Sequence, residues 1–162
     1  MKKVLSLVLA LVLMLGGSVS ALAETAQSIP PLSQISPNPN SATFTWRKDV
    51  STQDIEKKEI CFTEIGISKV SSTAVSIVQT TQTNAKAAVI NGFMFVQRWN
   101  NNKWEEYASR EFFKGNTTLC ETAYTVSVES GYYYRLAVSH IAVFADGQNS
   151  SCNTYTSSVY VN

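Results

Sequence analysis

The chain has 162 residues, with 13 Lys and Arg against 12 Asp and Glu. That length holds one domain with a modest core and no second full one. The balanced charge gives no basic footprint for nucleic acid or for an anionic membrane surface, and three cysteines with one histidine, all widely spaced, are a poor basis for a metal site.

Lys2 and Lys3 precede an apolar run from Val4 to Leu15, followed by Gly16-Gly17-Ser18 and Ala21-Leu22-Ala23. This is the three-part layout of a secretory signal peptide cut after Ala23. The run is shorter than the ~20 residues that span a bilayer, so residues 1–23 are expected to be removed rather than kept as an anchor. No cysteine follows the cut to take a lipid, and Val159-Tyr160-Val161-Asn162 is neither an apolar tail nor a sorting signal. A secreted, extracellular product free of the membrane is expected. Loss of Lys2 and Lys3 leaves 11 cations against 12 carboxylates, a net charge of −1.

Residues 24–59 read as a leader and charged linker. Glu24 to about Thr45 is polar and broken by Pro30-Pro31, Pro37 and Pro39. Proline removes a backbone donor and restricts the residue before it, so a largely disordered or extended segment is expected. Phe44 and Trp46 interrupt the polarity; they either dock the leader onto the domain, as aromatic side chains usually do, or form an exposed contact. Ser51-Thr52-Gln53-Asp54 has capping-box spacing and allows a short helical turn ending near Lys58.

From Ile60 alternation takes over, and residues 60–162 read as the folded domain. Ile60–Val70 and Thr73–Thr81 form a hairpin across Ser71-Ser72, with Gly66 a bulge or bend. Gln82–Lys86 is a polar loop. Ala87–Trp99 is apolar on both faces through Phe93, Met94, Phe95 and Val96, which suggests a central strand. Asn100-Asn101-Asn102 makes a tight turn into Lys103–Phe113, because asparagine tolerates left-handed geometry, and Lys114-Gly115-Asn116 turns again into Cys120–Glu129. Gly131–Phe144, rich in aromatic and β-branched residues, puts Tyr132, Tyr134, Leu136 and Val138 on one face and Tyr133, Arg135, Ala137 and Ser139 on the other. Past His140 the apolar parity changes, which predicts a bulge near Ser139-His140. Asn153–Val161 closes the chain. About seven short strands and almost no helix signal argue an all-β, two-sheet antiparallel sandwich of Greek-key type, immunoglobulin-like, with a closed barrel as the alternative.

Gly66-Ile67-Ser68, Val75–Thr81, Phe93-Met94-Phe95-Val96-Gln97-Arg98 with Trp104, Gly131-Tyr132-Tyr133-Tyr134-Arg135 with His140, Gly147 and the closing Tyr155-Thr156-Ser157-Ser158-Val159 together resemble small secreted domains of unknown function from Gram-positive bacteria. The resemblance runs from about Phe62 to the end, and its most specific piece is the Gly-Tyr-Tyr-Tyr-Arg run followed by His140. It implies a bacterial exported protein with a β-sandwich fold, and no activity. More loosely the chain is similar to fibronectin type III and immunoglobulin-like modules, in which a tyrosine anchors a corner near the sixth strand; Tyr134 fits that spacing, while the usual early-strand tryptophan is missing.

Chemistry is sparse. No metal or cofactor site is expected. His140 falls mid-strand without a nucleophile elbow and is expected to pack and hydrogen-bond rather than react. Glu105 and Glu106 point to opposite faces of a strand and cannot converge on one bond. Asp146-Gly147-Gln148-Asn149 has too few carboxylates for calcium. No catalytic residues are assigned and no enzyme is expected. In an oxidising medium Cys120 and Cys152 could pair, closing a loop of about 31 residues worth about 3–4 kcal/mol, with Cys61 left over; three unpaired cysteines is the alternative. Trp99, Trp104, Tyr107 and Tyr133 are the binding candidates: an aromatic surface for stacking on sugar rings, or packing residues that cover the sheet. The chain therefore reads as a non-catalytic extracellular interaction module for a protein or glycan partner, or as a carbohydrate-binding module using the Trp99/Trp104 hairpin.

Overall fold

The computed structural model describes residues 28–48 and 57–162. The signal peptide and the capping box at residues 51–54 lie outside them. Apart from a 3-10 turn at Leu32–Gln34, every regular element described is a strand: β1 (Ser41–Arg47), β2 (Ile60–Ser71), β3 (Ala74–Asn100), β4 (Lys103–Ser127), β5 (Tyr132–Val143), β6 (Asn149–Tyr155) and β7 (Val159–Val161). They form one antiparallel sheet in the order β1-β2-β3-β5-β6, with β4 also on β3 and β7 also on β5.

The sheet is organised by the long β3–β4 hairpin. Its two-residue turn uses Asn101 and Asn102 at φ 49° and 61°, the left-handed backbone that asparagine accepts. The first half of β3 lies between β2 and the end of β4; its second half lies between the start of β4 and β5. Two stretches with turn-like composition, Gln82–Lys86 and Lys114-Gly115-Asn116, are therefore not loops. They sit close together in the ladder, where pairing steps from Gln82↔Leu119 to Ala87↔Thr117, and together make one kink in a continuous hairpin. Side chains absorb the broken ladder there: Thr83 Oγ1 donates to Ala85 O (2.7 Å) and Thr117 Oγ1 to Leu119 O (2.9 Å). Asn84 holds the outside of the kink to the incoming chain, accepting from Glu59 N and donating to Lys57 O.

Alternation sets what is buried. Ile65 and Ile67 on β2, Val75, Ile77, Ile90, Met94 and Val96 on β3, Tyr134, Leu136, Val138 and Ala142 on β5, and Val159 and Val161 on β7 share one interior. Here β2 approaches β5, β6 and β7 without pairing to them, and Ile60 N donates to Ser150 Oγ on β6. Tyr134 has no exposed surface, and its hydroxyl donates to Glu129 O (2.9 Å) and accepts from Glu129 N (3.1 Å), so burial pushes the phenol up to about 12.

Three further expectations are corrected. β5 has no bulge at Ser139-His140: it pairs without a register shift on both sides, His140 stays on the inner face, and Ile141 and Val143 remain on the outer face as ordinary surface residues. The Asn153–Val161 segment is two strands, β6 and β7, which share one edge of β5. The described part of the leader is ordered: Ser41–Arg47 pairs along β2, and residues 28–36 reach from the β3–β4 turn, where Ser28 Oγ accepts from Asn102 N, to Ser158 beside β7. In that strap Ser158 N and Oγ both donate to Gln34 O (2.7 Å each), Ser36 N donates to Ser158 O, and Pro30 is buried. Prolines broke the strand pattern only up to Pro39; the Thr-Phe-Thr-Trp run after them is β-prone.

Candidate functional site

The four aromatic candidates do not form one surface. Trp99 and Trp104 face each other across the first rungs of the hairpin, edge to face with centroids 5.1 Å apart. Trp99 is buried at 7% exposure, and Trp104 is half-buried, its Nε1 donating to Gln34 Oε1 (2.8 Å) of the strap. Tyr107 belongs to the inner side, packed edge-on against Tyr134 and under the guanidinium of Arg98. Tyr133 is on the same outer face of β5 as Arg135, two residues along, and packs against Tyr160 of β7.

The lone histidine is the centre of a buried hydrogen-bond chain across four strands. Gln79 Nε2 points at Cys120 O (3.3 Å), an acceptor only, which turns Gln79 Oε1 toward Thr81. Thr81 Oγ1 then donates to Gln79 Oε1 (2.8 Å) and must accept at its other contact, His140 Nδ1 at 2.7 Å. The imidazole proton is thereby assigned to Nδ1, and Nε2 accepts from Thr154 Oγ1 at 2.9 Å. His140, Thr81 and Gln79 are at most 1% exposed. Among the described residues no carboxylate is bonded to the ring, and burial drives its pKa down to about 4. The arrangement holds a neutral histidine in place on the buried inner face of β5.

The sulfurs flank this chain without joining. Cys120 stands opposite Thr81 on β4 and Cys152 opposite His140 on β6, so the Thr81–His140 pair lies between them, and all three cysteines are free. The expected Cys120–Cys152 bridge is not formed, because the two strands that carry these residues pair with different partners. Cys61 is the extra residue of the β2 bulge. Burial raises the Cys61 and Cys152 thiols above their ordinary value, which slows attack by thiolate. Unfolded protein, never exposed to reductant, is expected to take up three equivalents of a thiol reagent. A mass lower by two hydrogens would contradict this.

The opposite face of the sheet carries an open groove of about 240 Å³. Phe95 of β3 and exposed Tyr155 of β6 flank Ala137 of β5, the three paired in one row across the strands. Ser139, Asn153, Gln97 and Glu106 supply the polar lining. At one end Arg135 is fixed from three sides: its guanidinium lies over Trp104 (4.6 Å) and Tyr155 (5.1 Å), and its Nε donates to Gln97 Oε1 (2.8 Å). Glu105, one residue from Glu106, turns away to Asn100 and Lys103, whose hydrogen bonds hold its carboxyl below the ordinary range.

Trp104 thus belongs to the site, but as a support for Arg135. Arg135, Phe95, Gln97, Asn153 and Tyr155 were not named as binding residues from the sequence, although the period-2 set Phe93, Phe95, Gln97 on β3 and Arg135, Ala137, Ser139 on β5 places the β3 and β5 members on one face. Among the described residues no three His, Cys, Asp or Glu side chains gather to hold a metal ion. No protein-family model and no curated protein matches the chain.

Proposed function

We propose that this is an exported, non-catalytic binding module, bacterial in origin, whose ligand is a saccharide lying in the groove over Ala137. Export rests on the signal-peptide layout of residues 1–23, and bacterial origin on the Gly-Tyr-Tyr-Tyr-Arg resemblance. The observation that carries the reading is the groove: two aromatic walls, a floor lowered by a small residue, and amide and hydroxyl groups around it. Aromatic faces with a few placed polar groups suit a ring that has apolar C–H faces and hydroxyl edges. A binding rather than catalytic role is supported by the full burial of the only histidine. We read the two halves of the sheet as the packed layers of a Greek-key, immunoglobulin-like sandwich. The Tyr134 hydroxyl bonded back to Glu129 supports this, in the manner of a tyrosine corner.

Affinity electrophoresis through gels containing soluble polysaccharides tests the reading. The full exported chain is expected to be retarded by at least one polysaccharide, and Tyr155→Ala, on an exposed wall, to weaken retention about ten-fold with unchanged thermal stability. Retention that survives Tyr155→Ala and is lost on a change at the far side of the molecule would overturn it.

A further inference from the structure

We infer that the saccharide is acidic, and that the Nη edge of Arg135 binds the carboxylate of a uronic acid residue held in the groove. The inference rests on the groove being the binding site. Three contacts fix the guanidinium plane before any ligand arrives: the ring of Trp104 on one side, the ring of Tyr155, and Gln97 Oε1 on Nε. Trp104 is itself held by Gln34 of the strap, so the support extends to a third segment of the chain. Among the described residues only the Nε side of the fork is used. Neither terminal nitrogen has a hydrogen-bond or ion-pair partner among the described residues, and Glu106, the nearest groove carboxylate along the ladder, is on the far side of Gln97 and makes no ion pair with it.

A half-buried cation whose two terminal nitrogens each present an N–H along the outer edge of the fork matches a planar, two-oxygen acceptor, and pre-ordering the fork reduces the entropy lost on binding. The neighbouring groups decide what carries that carboxylate. Glu106, Asn153 and Ser139 line the same groove as Tyr155 and offer acceptors and donors for several hydroxyls. A peptide carboxylate brings no such array of hydroxyls, while a uronic acid brings both on one ring.

The test is calorimetric titration of the full exported chain with tetragalacturonate and with the same oligosaccharide as its methyl ester, which removes the charge and leaves the ring and hydroxyls in place. The free acid is expected to bind at least about ten-fold more tightly than the ester, as the loss of a charge-assisted bidentate contact implies. Arg135→Lys and Arg135→Gln should abolish that preference, and the ester comparison on the unaltered protein decides the matter even if a variant folds poorly. Equal affinity for acid and ester, with both lost in Tyr155→Ala, overturns the carboxylate contact and leaves the groove standing. Preference for a sulfated saccharide over the uronate overturns the carboxylate assignment. Failure of the folded protein to bind any acidic or neutral saccharide overturns both the contact and the groove reading.

Discussion

Gly92→Ala is expected to destabilise the domain by more than about 3 kcal/mol or to prevent folding, while Gly115→Ala, in the partner strand, is expected to leave stability within about 1 kcal/mol of the parent. Gly92 pairs with Phe112 on one side and His140 on the other. With no side chain at this inward position, the Phe112 ring crosses over it and reaches His140, with centroids 6.0 Å apart. A Cβ at Gly92 would stand 1.8 Å from Ser139 O and 2.7 Å from Phe112 Cζ. The first is backbone of the neighbouring strand and cannot yield without pulling β3 from β5 in the middle of the sheet. A glycine inside a strand marks such a close approach. At Gly115 the nearest atoms are 3.6 and 3.9 Å away, an ordinary contact. Urea denaturation of the two variants measures the difference. A Gly92→Ala protein as stable as the parent would mean that β3 and β5 do not meet in this register.

Acidification is expected to remove about 3 kcal/mol of stability, most of it between pH 6.5 and 4, through His140 alone. Burial lowers its pKa from 6.5 to about 4. The folded state therefore prefers the neutral ring, whose stabilising effect is complete above the unfolded value of 6.5. As pH falls below 6.5 the unfolded chain gains a proton that the folded chain refuses, and the loss continues until the folded ring titrates near 4. Carboxylates such as Asp146, held low by Lys58, add their own loss toward the acid end. His140→Gln separates the contributions, since its amide can replace both ring contacts in part without taking up a proton. It should lower stability at pH 7.5 by about 1–3 kcal/mol, because Thr81 and Thr154 lose ideal partners. It should also flatten the slope between pH 6.5 and 4. A slope unchanged by the substitution would show that the histidine is not what acid unfolds.

The alternation that made Tyr134, Leu136 and Val138 interior residues was legible because it needs only a period of two. The hairpin at Asn101-Asn102 was legible because its chemistry is local. The kink was not. Gln82–Lys86 and Lys114–Asn116 each look like a turn, and only their meeting in the β3–β4 ladder makes one bend of them. Residues 41–47 were hidden by the prolines just before them, because the β-prone run is short and the β2 strand that pairs with it lies beyond a charged segment. His140 shows the same limit. The sequence places it in a strand and suggests packing, but its partners Thr81 and Thr154 come from two other strands, and no spacing connects them. In the groove, Arg135 reads as one polar residue of an alternating strand. Its meaning depends on Trp104 and Tyr155, brought to either side by β4 and β6.

The central claim is that the outer face around Ala137 is where this protein meets its ligand. Titrating isotope-labelled protein with tetragalacturonate, and following backbone amide and Arg135 Nε–H resonances, tests it most directly. Shifts are expected to gather at Phe95, Gln97, Ala137, Ser139 and Tyr155 and at the Arg135 side chain, with the inner-face residues silent. Shifts confined to the Trp99–Trp104 turn, or a folded protein whose spectrum does not move, would contradict it.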